Sequence, residues 1–437
     1  MKIKRLTCRV LVCLSLICLS SLPVSAANWP AWRGPNADGT TPEKNFPTQW
    51  STNKNVRWRV DLPERGNSSP IVWGHRVFIT QALEKEGRRT VICFDRTNGK
   101  LLWQQGTTYN EKERTHETNP YCAASPVTDG QRVVATFGSA GVFCYDLDGK
   151  ELWRRELGKQ DHEWGYASSP VIHGGLCYVY HGPGDGAKFV ALDKKTGQTV
   201  WQFDEPKITP KDRTDGFKGR EPGMIGSWST PLVLAAQGRE ELVMSFPQQL
   251  RAFDPKTGKD LWACEGLNPL IYTSPVYGEG VVLAMGGFFG SALAVKPGGQ
   301  GDVTATARVW REERAKKNRC GSCVISGGLT FFLNMEGFLE CTEMATGKQL
   351  WEERLPDAGA KSSSWSSPVL ANGLVYTVNQ SGDTHLLRAA PKLEVVAVNS
   401  VGELSNSSLA LSDGEIFLRT HQRLWCFSEK KDTAAVR

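Results

Sequence analysis

The chain has 437 residues and 48.2 kDa, with 40% hydrophobic and 22% charged residues and a mean hydropathy of −0.35; this excludes disordered, collagenous and membrane-embedded classes. Its formal charge of +6 includes Lys2, Lys4, Arg5 and Arg9, and setting residues 1–26 aside leaves 48 Lys and Arg against 46 Asp and Glu, or +2. A nearly neutral surface has no global field with which to hold nucleic acid or anionic lipid.

In chain order, Met1–Arg9 is basic, Val10–Leu22 is apolar but short for a membrane span, and Val24-Ser25-Ala26-Ala27 offers small residues for cleavage. The pattern predicts a signal peptide over 1–26, an exported periplasmic or extracellular protein, and no transmembrane segment in the mature chain. Residues 27–54 are expected to form an extension packed on the domain that follows. Cleavage takes 12 cysteines to nine, an odd number, so at least one thiol stays unpaired within the monomer.

From residue 55 onward one phrase recurs: a short apolar strand, a small residue, an acid, a Gly turn and then Trp. Cys93-Phe94-Asp95 leads to Trp103, Cys144-Tyr145-Asp146 to Trp153, Ala191-Leu192-Asp193 to Trp201, and Ala252-Phe253-Asp254 to Trp262. Weaker copies lead to Trp310 and Trp351, and Trp58 opens the series at a spacing of 45, followed by 50, 48, 61, 48 and 41. A second phrase falls between the tryptophans. It is Ser69-Pro70, Ser125-Pro126, Ser169-Pro170, Thr230-Pro231, Ser274-Pro275, a degenerate Ser322-Cys323, Ser367-Pro368 and Ser408-Leu409. Eight copies at this period, each with four short strands, predict an all-β, eight-bladed propeller of antiparallel blades over 55–428. In the first copy the strands are placed at Pro70–Trp73, Val77–Gln81, Val91–Asp95 and Leu101–Gln104.

The last copy lacks its fourth strand and ends in a polar tail, 429–437, while Asn55–Val60 carries Trp58 and lacks the three strands that should precede it. Joining them completes one blade and closes the ring without an open edge. Trp58, Trp103, Trp153, Trp201, Trp262, Trp310 and Trp351 are expected to pack between neighbouring blades. Cys93, Cys144, Cys341 and Cys426 stand where other copies have Ala, so they read as small buried residues rather than metal ligands.

The Ala252-Phe253-Asp254, Thr257-Gly258-Lys259, Trp262 pattern resembles the tryptophan-docking repeat of pyrroloquinoline quinone (PQQ) dehydrogenases and of related non-enzymatic propellers of the BamB outer-membrane assembly type. The phrase Trp29-Pro30-Ala31-Trp32-Arg33-Gly34-Pro35-Asn36, with Asn55-Val56-Arg57-Trp58, is similar to the opening of exported members. The resemblance implies either a scaffold that binds a protein partner or extracellular ligand without catalysis and without a cofactor, or a PQQ-dependent oxidoreductase of alcohols or sugars using PQQ with calcium. Against the enzymes, no Cys-Cys pair occurs, no Ca²⁺ ligand set can be placed, and Cys320-Gly-Ser-Cys323 is followed by Val324 where covalent haem would need His. The scaffold is the preferred expectation.

Loops before the Ser-Pro phrase should gather at one mouth of the channel. Three residues before each Pro position stand Asn67, Ala123, Ala167, Trp228, Tyr272, Cys320, Trp365 and Asn406. They could line a funnel for a flat or sugar-like ligand or simply plug it. Asn119, His162, Trp164, Arg220, Glu221 and Arg319 are further candidates for the same mouth. His162 lies between Asp161 and Glu163 and could serve acid–base or metal chemistry, although adjacent residues of an extended loop point apart. The insertion Glu205–Trp228 reads as a lid or a solvated loop. Cys320 and Cys323 could form a redox pair, contribute half a zinc site, or act as unrelated thiols. Asp146-Leu147-Asp148-Gly149 reads as a turn rather than a Ca²⁺ loop, and no catalytic residue or metal site is assigned.

Overall fold

A computed structural model describes residues 28–208, 224–287, 290–313, 318–356 and 363–429. The leader, most of the Glu205–Trp228 insertion with Arg220 and Glu221, and the end of the polar tail fall outside them.

Eight blades of four antiparallel strands form the propeller, and two of these sheets gain a fifth, parallel strand, Gly301–Asp302 on blade four and Thr40–Thr41 on blade seven. Blade one comprises Ile71–Trp73, Arg76–Leu83, Arg88–Asp95 and Leu101–Thr108, in that spatial order from the channel outward. The two middle strands and the outer strand run several residues past the apolar stretch seen in the sequence, because pairing continues through Leu83↔Arg88 and Arg88↔Thr108. The last blade takes three strands from the C-terminal region, Ala410–Ser412, Glu415–Arg419 and Arg423–Phe427. Its fourth is Val56–Asp61, antiparallel to Arg423–Phe427 with Trp58 opposite Cys426. The ring is therefore shut by its two ends.

Each outer-strand tryptophan faces a small residue across its own sheet. Trp103 is opposite Cys93, Trp153 opposite Cys144, Trp201 opposite Ala191, Trp262 opposite Ala252, Trp310 opposite Ala294 and Trp351 opposite Cys341. The small partner leaves room for an indole, which then reaches the next blade's turn. Trp58 Nε1 donates to the Arg96 carbonyl at 2.6 Å, Trp103 to Leu147 at 2.9 Å, Trp153 to Lys194 at 3.0 Å, Trp201 to Pro255 at 2.9 Å and Trp310 to Met344 at 2.8 Å. The turn glycine lies under that ring with positive φ: a Cβ on Gly258 would stand 2.6 Å from Trp201, so both conformation and clearance call for glycine. Two copies depart. Trp262 bonds the Glu241 carboxylate, and Trp351 Nε1 has no partner among the described residues.

Where the turn phrase carries Asp, that residue folds it locally. Asp146 Oδ1 accepts the N–H groups of Asp148 and Lys150, so this segment is a turn. The nine cysteines of the described chain are buried and none forms a disulfide among the described residues, Cys320 and Cys323 included.

The N-terminal segment threads across the channel. Trp29 pairs with Val72 of blade one, Pro30 accepts from Thr128 of blade two, and Thr40–Thr41 lies parallel to Leu370–Ala371 of blade seven. Between them the buried Arg33 donates to the carbonyls of Cys323 and Pro368, on blades six and seven. Burial pushes its pKa down to about 10.

Candidate functional site: a cup at the channel mouth

The residue before each Pro position builds the frame of the channel. Ser69 N donates to Ser125 Oγ at 2.8 Å, Ser125 N to Ser169 Oγ at 3.0 Å, and Ser169 N to Thr230 Oγ1 at 2.9 Å. Thr230 N then donates to Ser274 Oγ at 2.7 Å, Ser274 N to Ser322 Oγ at 2.9 Å and Ser322 N to Ser367 Oγ at 2.9 Å. Ser367 N donates to Ser408 Oγ at 2.9 Å, and Ser408 N returns to Ser69 Oγ at 2.9 Å. Each blade thus donates its backbone to a hydroxyl of the next until the circle closes. This belt was visible in the sequence: all eight copies keep Ser or Thr here, even the two that lose Pro. Pro only shapes the start of a strand, whereas the hydroxyl satisfies a buried N–H of its neighbour.

Above the belt opens a cavity of about 570 Å³, and all eight residues at the position three before Pro line it. Sequence order therefore translates directly into position around one wall. Asn119, Trp164, His116, Thr118, Glu163 and Met224 join them from the mouth loops. Trp32, next to the channel-crossing Arg33, also lines the cavity, and we take it as the floor of the cup. Repeat reasoning missed Trp32 because its segment belongs to no blade.

The wall has two chemical halves. On blades three to five, Trp164, Trp228 and Tyr272 interlock, with ring centroids 5.8 Å apart for Trp164–Trp228, 5.2 Å for Trp228–Tyr272 and 5.9 Å for Trp164–Tyr272. A short parallel pair, Gly226–Ser227 with Leu270–Ile271, holds the two loops in register, and Trp228 Nε1 donates to the Gly165 carbonyl at 2.9 Å. On blades eight, one and two the wall is amide. Asn67 donates to the Thr118 carbonyl at 2.7 Å and Asn119 to that of Trp164 at 2.7 Å, while Asn406 accepts from Gln380 at 3.1 Å. Asn67 Oδ1 is buried without a partner among the described residues, which leaves an acceptor at the cavity edge for an incoming donor.

The Asp161-His162-Glu163 run does not converge. Asp161 pairs with Arg114 at 2.7 Å, Glu163 lines the cup, and His162 packs edge-on against Trp228 at 5.0 Å. Burial lowers the His162 pKa, which favours the neutral ring. Arg319 is not among the residues lining the cavity: it is held between Glu312 of blade five at 2.6 Å and Glu340 of blade six at 2.9 Å. Cys320 borders the cup, but burial raises its thiol pKa strongly and that of Cys323 to about 11, so neither offers a thiolate. Among the described residues no group of three or more His, Cys, Asp or Glu is placed to hold a metal ion, and no helix is long and apolar enough to cross a membrane.

At the foot of the insertion, Tyr180 Oη donates to Glu205 at 2.6 Å, and burial pushes the Glu205 pKa up to about 7.

Comparison with known proteins places this architecture. The chain is 22% identical over 376 residues to the outer membrane protein assembly factor BamB of Burkholderia pseudomallei, covering 76% of this chain and 87% of that one. Among solved structures it is similar to BamB of Moraxella catarrhalis (TM-score 0.59, 14% identity, covering 85% of this chain and 98% of that one). It is similar also to the quinohemoprotein alcohol dehydrogenase of Comamonas testosteroni (TM-score 0.67, 11% identity, 94% and 82%). These identities speak to fold alone, and that fold is shared by an assembly factor and an oxidoreductase. The family model for outer membrane protein assembly factor BamB matches residues 48–184, 87–287 and 190–435, and the chain belongs to that family of PQQ-repeat propellers.

Proposed function

We propose that the protein is an exported, non-catalytic binding scaffold that holds its ligand in the mouth cup. The ligand is uncharged and carries hydroxyl or amide groups alongside flat apolar faces, as a sugar ring does. The observation that carries this reading is the divided wall: an interlocked face of Trp164, Trp228 and Tyr272 opposite Asn67 and Asn406, with belt hydroxyls beneath. Aromatic faces take the apolar side of such a ligand, and amides take its polar edge.

The alternative, a PQQ-dependent oxidoreductase, draws on the likeness in fold to an alcohol dehydrogenase. The residues present argue against it. PQQ is a polycarboxylate, yet the described lining holds one carboxylate, Glu163, and no Lys or Arg. A cation-free wall would leave the quinone's charges desolvated and unpaired.

The test is a tryptophan-fluorescence titration with neutral oligosaccharides, run on the wild type and on Trp228→Ala. A saturable change that the variant weakens by about 10-fold, as loss of an aromatic anchor does, supports the reading. An identical response from both proteins, or none across the series, rejects it.

A further inference from the structure

A second cavity of about 360 Å³ lies between loops of blades one and two and shares no lining residue with the cup. Its wall includes Arg89, Tyr109, Asn110 and Tyr121, with Glu84, Glu86 and Glu111 alongside Lys85 and Lys112. Arg89 is the unusual member. It is only 3% exposed, stacks on Tyr121 at 3.7 Å, and its Nε has no partner. Its guanidinium makes no hydrogen bond to any described residue. The nearest acid, Glu113, stands 3.9 Å away, beyond hydrogen-bond reach, and Glu113 Oε2 is likewise unpartnered. A buried guanidinium with its donors unspent is costly. The other deeply buried arginines among the described residues meet carbonyls or carboxylates: Arg33 reaches Pro368 and Cys323, Arg96 reaches Glu415 and Ser412, Arg319 reaches Glu312 and Glu340, and Arg419 reaches Thr80 and Gln81.

We infer that this pocket binds a carboxylate-terminated ligand, with the Arg89 fork taking the carboxylate and the rim acids receiving N–H donors from the body of the ligand. The planar guanidinium matches a carboxylate in two-point geometry, and Tyr121 fixes its plane. Two rim glutamates are already matched, Glu111 by Lys159 at 2.5 Å and Glu86 by Arg88 at 3.6 Å, but with Glu113 the rim acids still oppose a dianion such as phosphate more than a monoanion bearing amide or ammonium groups. Burial raises the Glu113 pKa, which lessens its opposition to an arriving anion.

The test is isothermal titration calorimetry of the full chain with trialanine, trialanine amide, glycine and inorganic phosphate. Trialanine binds, and its C-terminal amide binds about 10-fold more weakly or not at all, as loss of a charge-assisted hydrogen bond requires. Glycine as tight as trialanine makes the ligand a free amino acid; weaker glycine makes it a peptide C-terminus. Arg89→Gln removes trialanine binding, and Arg89→Lys, which keeps the charge without the fork, restores only part of it. Equal binding of acid and amide, no heat from either, or tighter binding of phosphate overturns the proposal. The comparison of acid with amide on wild-type protein decides the matter even if a variant fails to fold.

Discussion

The hydroxyl before each Pro position accepts a backbone N–H from the neighbouring blade, and in six of the eight copies, Ser69, Ser125, Ser169, Thr230, Ser367 and Ser408, the residue also lines the base of the cup. Removing one leaves a buried N–H unmatched, which costs about 1–3 kcal/mol. Ser125→Ala should therefore lower stability by about that much in urea unfolding, because Ser69 N loses its acceptor, while Ser125→Thr should be close to wild type, as Thr230 fills the same role in blade four. Glu205 makes a separate prediction. Its folded pKa of about 7 lies above the ordinary value of 4.5, so the carboxyl contributes stability that is fully present below pH 4.5 and is lost as pH rises through 7. Glu205→Gln should flatten the pH dependence of the unfolding midpoint across that window, and an unchanged slope would reject the assignment. How far these residues could be read from the sequence differed by origin. Asn67, Trp228, Tyr272, Trp365 and Asn406 were legible because a repeat converts equal sequence position into equal height around a ring. Trp32 and Arg89 were not, since neither is positioned by the repeat phrase.

Blades adhere through elements rather than single contacts. An outer strand presents Trp, the neighbouring turn presents Gly and a carbonyl, and the opposing strand position stays small so that the indole fits. This explains why Cys and Ala exchange freely at Cys93, Cys144, Ala191 and Ala252, all fully buried. The indole N–H is the separable part. Trp201→Phe keeps most of the buried area but abandons the Pro255 carbonyl, for a cost of about 1 kcal/mol beyond the change in size. Trp351→Phe surrenders no such bond, because that N–H has no partner among the described residues. Chemical denaturation of the two variants should rank Trp201→Phe as the more damaging, and the reverse order would contradict the adhesion scheme. At this scale the sequence revealed strand existence and order but not extent. Arg88 and Arg89 look like loop residues, yet they extend a strand because Leu83 and Ala82 opposite them are already in the ladder. The parallel additions Gly301–Asp302 and Thr40–Thr41 have no apolar alternation to announce them; backbone pairing places them in their sheets.

For the whole molecule, closure of the ring is what turns eight copies of a phrase into a site. The N-terminal strand completes the last blade, the hydroxyl belt runs once around and returns to Ser69, and the preceding segment crosses the channel with Arg33 and Trp32. Among the described residues the result is a cup with an aromatic half and an amide half, and it is on that chemistry that we propose a binding scaffold rather than a quinone enzyme of the same fold. Equilibrium dialysis of the purified protein against PQQ with Ca²⁺, followed by dye reduction with alcohols and sugars, puts that distinction to the test. A wall with no Lys or Arg among the described residues predicts that PQQ stays free and that no dye is reduced. Stoichiometric retention of the quinone with substrate-dependent dye reduction would contradict the account.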